Sequence, residues 1–199
     1  MTYPTVSAPY GLRPINLIGG RVFAGSTRLI PITSAEGTSI FYGDVVKLNT
    51  SGTLTKETGT SAATPVGVFL GCTYTNPSTN QKINAQYFPA GTVAPDIQAY
   101  VCDDNLVLMQ VAVTGAGTST MNGVTRAAVG MNTALIQGTG SSTTGDSAVS
   151  VSATTATNAA LPIRIIDVVP ETVNSVGSYT EVIVKWNFGM HQYDNATGV

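Results

Sequence analysis

The chain has 199 residues, of which only 10% are charged, where an ordinary globular domain carries about 25%. A net charge of -2 and nine Lys and Arg spread from Arg13 to Lys185 without a stripe argue against a nucleic-acid partner. No apolar run approaches the ~20 residues that cross a bilayer, so no membrane partner is expected.

In chain order, residues 1–26 hold Pro4, Pro9 and Pro14 around one short apolar run, Ile15 to Ile18. Proline donates no ladder hydrogen bond and fixes an extended backbone, so this segment reads as an N-terminal arm able to add an edge strand. Its opening lacks the basic start and apolar run of a signal peptide, which predicts synthesis and assembly in a reducing cytoplasm. Cys72 and Cys102 are accordingly expected as small buried residues on strands; a structural disulfide is the alternative.

Residues 27–113 read as the β-core. Arg28 to Ile32 contains Pro31, which places that strand at an edge or bulge. Ile40 to Tyr42 leads through Gly43-Asp44 into Val45 to Leu48. Asn49-Thr50-Ser51-Gly52 turns the chain into Thr53 to Lys56. Pro65 opens a long strand to Tyr74, and further strands are expected at Gln81 to Phe88, Asp96 to Cys102 and Leu106 to Val113.

Residues 114–160 stand apart because Ser, Thr, Gly and Ala at this density supply little apolar volume. They read as an insertion with weak strands, Ala148 to Ser152 among them, shaped by a neighbouring subunit. Gly123 to Val129 is a further strand candidate, and Thr125 to Ile136 allows a short helix instead. Residues 161–199 then supply strands at Leu161 to Val169 and Tyr179 to Phe188 that complete the core, with Val184, Trp186 and Phe188 on one face. The fold class is all-β: an antiparallel β-barrel or sandwich with an extended N-terminal arm and a long Gly/Ser/Thr/Ala-rich insertion.

No set of residues carries catalysis, a cofactor or a metal. His191 is the only histidine, and it has no nucleophile elbow to serve; it reads as a hydrogen-bonded surface residue. Asp103 and Asp104 are adjacent, so on a strand they face opposite sides, and they lack the spacing of a calcium loop. Gly115-Ala116-Gly117 and Gly138-Thr139-Gly140 precede no phosphate-binding fingerprint. Asp167 and Glu171 read as strand-end charges. The chain is therefore expected not to be an enzyme.

Three stretches together resemble the capsid decoration, or cement, proteins of tailed bacteriophages. They are Ala8-Pro9-Tyr10-Gly11-Leu12-Arg13-Pro14-Ile15-Asn16-Leu17-Ile18-Gly19-Gly20, an arm similar to those of marine phage structural proteins; Gly43 to Leu48 followed by Pro65 to Gly71, similar to the β-barrel core of lambda-type decoration proteins; and Arg164 to Val169 with Tyr179 to Asn187. The resemblance implies a structural virion protein that binds the outer capsid surface and stabilises the head. Its implied partners are the major capsid protein and further copies of itself, as a dimer or trimer, and its implied location is the virion surface after assembly in the host cytoplasm. The arm residues Tyr10, Leu12, Arg13, Ile15 and Leu17 are the expected capsid-binding set. A tail, neck or fibre-associated virion component is the alternative role.

Overall fold

The computed structural model describes residues 8–173 and 179–199. It is all-β, with the chain in thirteen strands and two 3₁₀ turns among the described residues. In order these are β1 (Arg13–Leu17), β2 (Arg21–Val22), β3 (Arg28–Pro31), β4 (Val45–Leu48), β5 (Leu54–Lys56), β6 (Gly67–Thr75), β7 (Lys82–Ala85), β8 (Gln98–Cys102), β9 (Val107–Thr114), β10 (Asn132–Ile136), β11 (Ser150–Ala156), β12 (Ile163–Val168) and β13 (Glu181–Trp186).

Two sheets divide these strands. The first runs β3-β8-β6-β4-β5, with β7 on the side of β6. A parallel bridge from Ile32 to Leu54 joins its two ends, so it closes into a five-stranded barrel. The second runs β11-β10-β12-β13-β9 and closes where β11 pairs parallel with β9, Val151 opposite Val113. β1 lies antiparallel on β9, Leu17 opposite Val107, and β2 lies outside β1. Pro31 has no N–H to give to the closing seam of the first barrel, which accounts for a single bridge there.

The two barrels have the same strand order, and their registers match except for an irregularity between Thr133 and Leu135 in β10–β11 that β4–β5 lacks. Taken in chain order, β3, β4, β5, β6 and β8 correspond to β9, β10, β11, β12 and β13. Gly43 N–H bonds the Phe69 carbonyl at 2.8 Å, and Gly130 N–H bonds that of Ile165 at 2.8 Å. The returning bonds are Phe69 N–H to Asp44 and Ile165 N–H to Met131. Both glycines take positive φ, +88° and +85°, which glycine adopts without the strain a Cβ would add. The pairs Val46–Gly67 and Thr133–Ile163 match, as do Phe69–Val101 and Ile165–Val184. A bulge follows at the same place in each barrel, after Phe69 and after Ile165. Arg28 opposite Val101 then corresponds to Met109 opposite Val184. The closing pairs Ile32–Leu54 and Val113–Val151 fall on corresponding residues as well. Residues 28–102 and 107–186 are one architecture used twice.

Each barrel has its own core. Ile40, Leu54, Phe69 and Phe88 fill the first; Met109, Leu135, Ile163, Ile165 and Trp186 fill the second, joined by Leu12 from the N-terminal segment. Val45, Val68 and Cys102 of the first barrel's strands also belong to the second core, which packs the two units together.

Several expectations are corrected here. Residues 8–22 do add a strand, but to the chain's own sheet and not as a free arm: β1 ladders to β9, and Pro14, opposite Met109, sits at a position that needs no donor. Residues 114–160 are not an excursion, because β10 and β11 are two of the five strands of the second barrel. Their small residues bury by satisfying each other, as where the Thr114 and Ser150 hydroxyls meet at 2.7 Å and Thr133 Oγ1 donates to the Ser152 carbonyl at 2.7 Å. Neither a strand at Gly123 to Val129 nor a helix at Thr125 to Ile136 forms; Arg126–Ala128 is a 3₁₀ turn. β13 ends at Trp186, so Val184 and Trp186 are buried while Phe188 stands 94% exposed in the turn beyond.

Candidate functional site

Two of the five residues expected to bind a partner, Tyr10 and Arg13, line a cleft of about 1210 Å³ beside the N-terminal segment, together with Gln110, Asp146, Glu181 and the loops around Gly117 and Thr139. β1 is placed there by its pairing with β9, which brings Arg13 opposite Gln110. Glu181, at the start of β13, is buried, and both of its oxygens are occupied. Tyr10 donates its hydroxyl to Oε1 at 2.5 Å and Gln110 Nε2 donates to Oε2 at 2.9 Å. The Arg13 guanidinium lies 4.4 Å from the centre of the Tyr10 ring. Burial, and then the hydrogen bond and charge of Glu181, raise the Tyr10 phenol well above its ordinary range, so it stays a neutral donor.

These groups hold the segment against the barrel, with the Tyr10 hydroxyl and the Gln110 amide both committed to Glu181. Of the expected set, Arg13 is exposed, Ile15 is half-buried, and Tyr10 is engaged with Glu181. Leu17 packs against the second core. Leu12 is a correction: it is fully buried in that core and offers nothing to a partner. Gly11 precedes it with φ +83°, where a Cβ would lie 2.7 Å from the Gly43 carbonyl oxygen. Gly11 N–H bonds Val149 and Leu12 N–H bonds Gly43, so this short run stitches the two barrels.

The same junction holds a polar hub that the sequence reading passed over as a turn. Asp44 is completely buried. It accepts from Phe41 N–H at 2.9 Å, from Ser147 Oγ at 2.6 Å and from Lys56 Nζ at 2.9 Å. A buried carboxylate with three donors is satisfied and fixes the position of each. Ser147 comes from the segment read as an insertion, so nothing local in the sequence pairs it with Asp44.

The other singled-out residues are structural. His191 is corrected from a surface position: it is 2% exposed, packs edge-on to Tyr193 at 5.2 Å, and its Nδ1 accepts from the Tyr193 N–H. Burial holds its imidazole below the ordinary value, against the raising effects of the Val66 backbone and of Asp194 and Asp103. Cys72 and Cys102 are buried free thiols, as expected of strand residues, and burial pushes them up to about 12 and about 11. Asp103 pairs with Arg28 at 2.8 Å, and Asp167 with Arg126 at 2.8 Å. Among the described residues no three His, Cys, Asp or Glu side chains gather as metal ligands would. No family model, curated protein or solved structure matches the chain.

Proposed function

We propose that this protein is a structural component of a tailed-phage virion that binds the outer surface of the head and stabilises it. The observation that carries the reading is the character of the exterior. It is poor in charge, and it displays separate large apolar side chains, Val22 at 77%, Val93 at 60% and Phe188 at 94% exposure. Covering such a surface costs little desolvation of charge and removes apolar area from water. Gly43 to Leu48 and Pro65 to Gly71 supply β4 and the start of β6 to a β-barrel, which supports the resemblance to lambda-type decoration proteins, and the recurrence of that barrel in one chain offers two rigid bodies for contact. Repetition over a shell lattice turns modest contacts into high avidity.

The copy number per virion, measured by quantitative mass spectrometry, tests this reading. Copies in the hundreds, comparable to the major shell protein, are expected. A dozen or fewer would move the protein to the neck or tail.

A further inference from the structure

The repeated register shows what each barrel carries at each position, and at one position the two differ. In the second barrel, Val113 N–H bonds across to Thr180. Ladder groups alternate in direction along a strand, so Leu108 and Gln110 turn theirs away from β13, toward β1. There they meet Asn16 and Arg13. In the first barrel, Ile32 N–H bonds Ile97, so Leu29 and Thr27 turn theirs away from β8. By the shared register these two residues correspond to Gln110 and Leu108. Nothing described pairs with them: β3 is laddered to β8 alone, and Ser26 to Leu29 are all exposed, Leu29 by 53%. One barrel has its sixth strand; the matching edge of the other is bare.

We infer that the outer edge of β3, at Thr27 and Leu29, accepts an extended segment of a partner protein by antiparallel strand addition. The kind of segment follows from β1, which fills the twin position. Like β1, which sets Asn16 and Arg13 opposite Leu108 and Gln110, it carries no more than one basic residue and places non-proline residues opposite Thr27 and Leu29. The residue beside the exposed Leu29 rests an apolar side chain, or the methylene stem of an arginine as at Arg13, against it. A proline is tolerated between those points, as Pro14 is in β1. A second copy of this chain is a poor donor. Its free edge at β2 is two residues long, and its free edge at β7 begins with Lys82, a residue type that discourages edge pairing. Its own β3, paired so that Thr27 meets Leu29, would set Arg28 opposite Arg28, like charges that oppose pairing. The inference stands on the duplicated register and is independent of where on a virion the protein sits.

The test uses the whole protein and a synthetic peptide of the sequence Tyr10 to Ile18 as probe, followed by backbone NMR. Saturable shifts at the amides of Thr27 and Leu29, with those of Leu108 and Gln110 unmoved, are expected. Leu29→Pro removes the outward N–H while leaving the ladder to β8 intact. It should weaken the peptide about tenfold, the effect of one lost hydrogen bond at about 1.4 kcal/mol per decade, with the melting temperature held. Leu29→Lys, which keeps the N–H and adds an edge charge, serves as the second variant and should also weaken binding. Absence of binding, equal binding to wild type and both variants, or shifts confined to Leu108 and Gln110 would overturn the proposal. Concentration-dependent dimerisation abolished by Leu29→Pro would also overturn it, in favour of a second copy as occupant. A low copy number on the virion would leave these outcomes unchanged, so this inference and the decoration reading fail separately.

Discussion

The first barrel, residues 28–102, and the second, residues 107–186, reach one ladder through different side chains. The first packs Phe69 and Phe88, closes through a single bridge and leaves β3 uncovered. The second packs Val, Ile and Trp186, takes Leu12 from outside its own strands and wears β1 along β9. What the two share is backbone: a left-handed glycine before the second strand and a bulge after Phe69 or Ile165. Glycine conformation and bulge position fix where strands bend and pair, and many apolar sets of suitable volume then fill the interior.

The comparison breaks most severely at the cores. Phe69→Ala in the first barrel and Trp186→Ala in the second should each cost about 3–5 kcal/mol, measured by urea denaturation. Because Val45, Val68 and Cys102 belong to the second core, both substitutions are expected to lower one common transition. Two transitions, each responding to only one substitution, would show barrels that fold separately.

The junction comes next. Asp44→Ala leaves the Lys56 ammonium without its buried partner and should cost about 3 kcal/mol, again read from denaturant midpoints. The corresponding residue of the second barrel is Met131, a half-buried uncharged side chain, so Met131→Ala should change stability far less.

The paired glycines sharpen the comparison further. Gly43→Ala and Gly130→Ala share a left-handed strain of about 1–2 kcal/mol. A Cβ at Gly43 also meets Gly11 Cα at 3.1 Å and Leu12 N at 3.2 Å, whereas one at Gly130 meets open space. Thermal melts should therefore rank Gly43→Ala below Gly130→Ala.

Smaller effects come from the C-terminal segment. The unfolded chain protonates His191 near its ordinary value of 6.5, and the folded protein does so only at lower pH. The unfolded state thus binds more protons between those points. Stability should be full above pH 6.5 and fall as the pH drops toward the folded value, and His191→Gln should flatten that dependence in pH-resolved melts. Phe188→Ser, in an exposed turn, should leave stability within about 0.5 kcal/mol.

Much of this fold is legible in the sequence wherever apolar residues alternate or run together. The strands at Val45–Leu48, Gly67–Thr75, Val107–Thr114 and Glu181–Trp186 fall inside or beside the expected spans. The strands of residues 114–160 escape such a reading because Thr133, Ser150 and Ser152 are buried through hydrogen bonds to residues distant in sequence, and they resemble loop composition until those partners are known. The duplication escapes it because the loops differ in length and few corresponding residues are identical, Gly43 with Gly130 and Val101 with Val184 among them. The extended, strand-adding character of the N-terminal segment is legible from its prolines, but its place on the chain's own β9 and the tie from Tyr10 to Glu181 depend on residues about one hundred or more positions away.

Native-state amide hydrogen exchange at four residues tests the central claim, that one barrel is completed by a strand and its twin is left open. In the free protein, Leu108 and Gln110 should be protected by β1, while Thr27 and Leu29 exchange at rates near those of an open chain. Equal protection at all four amides would contradict the account.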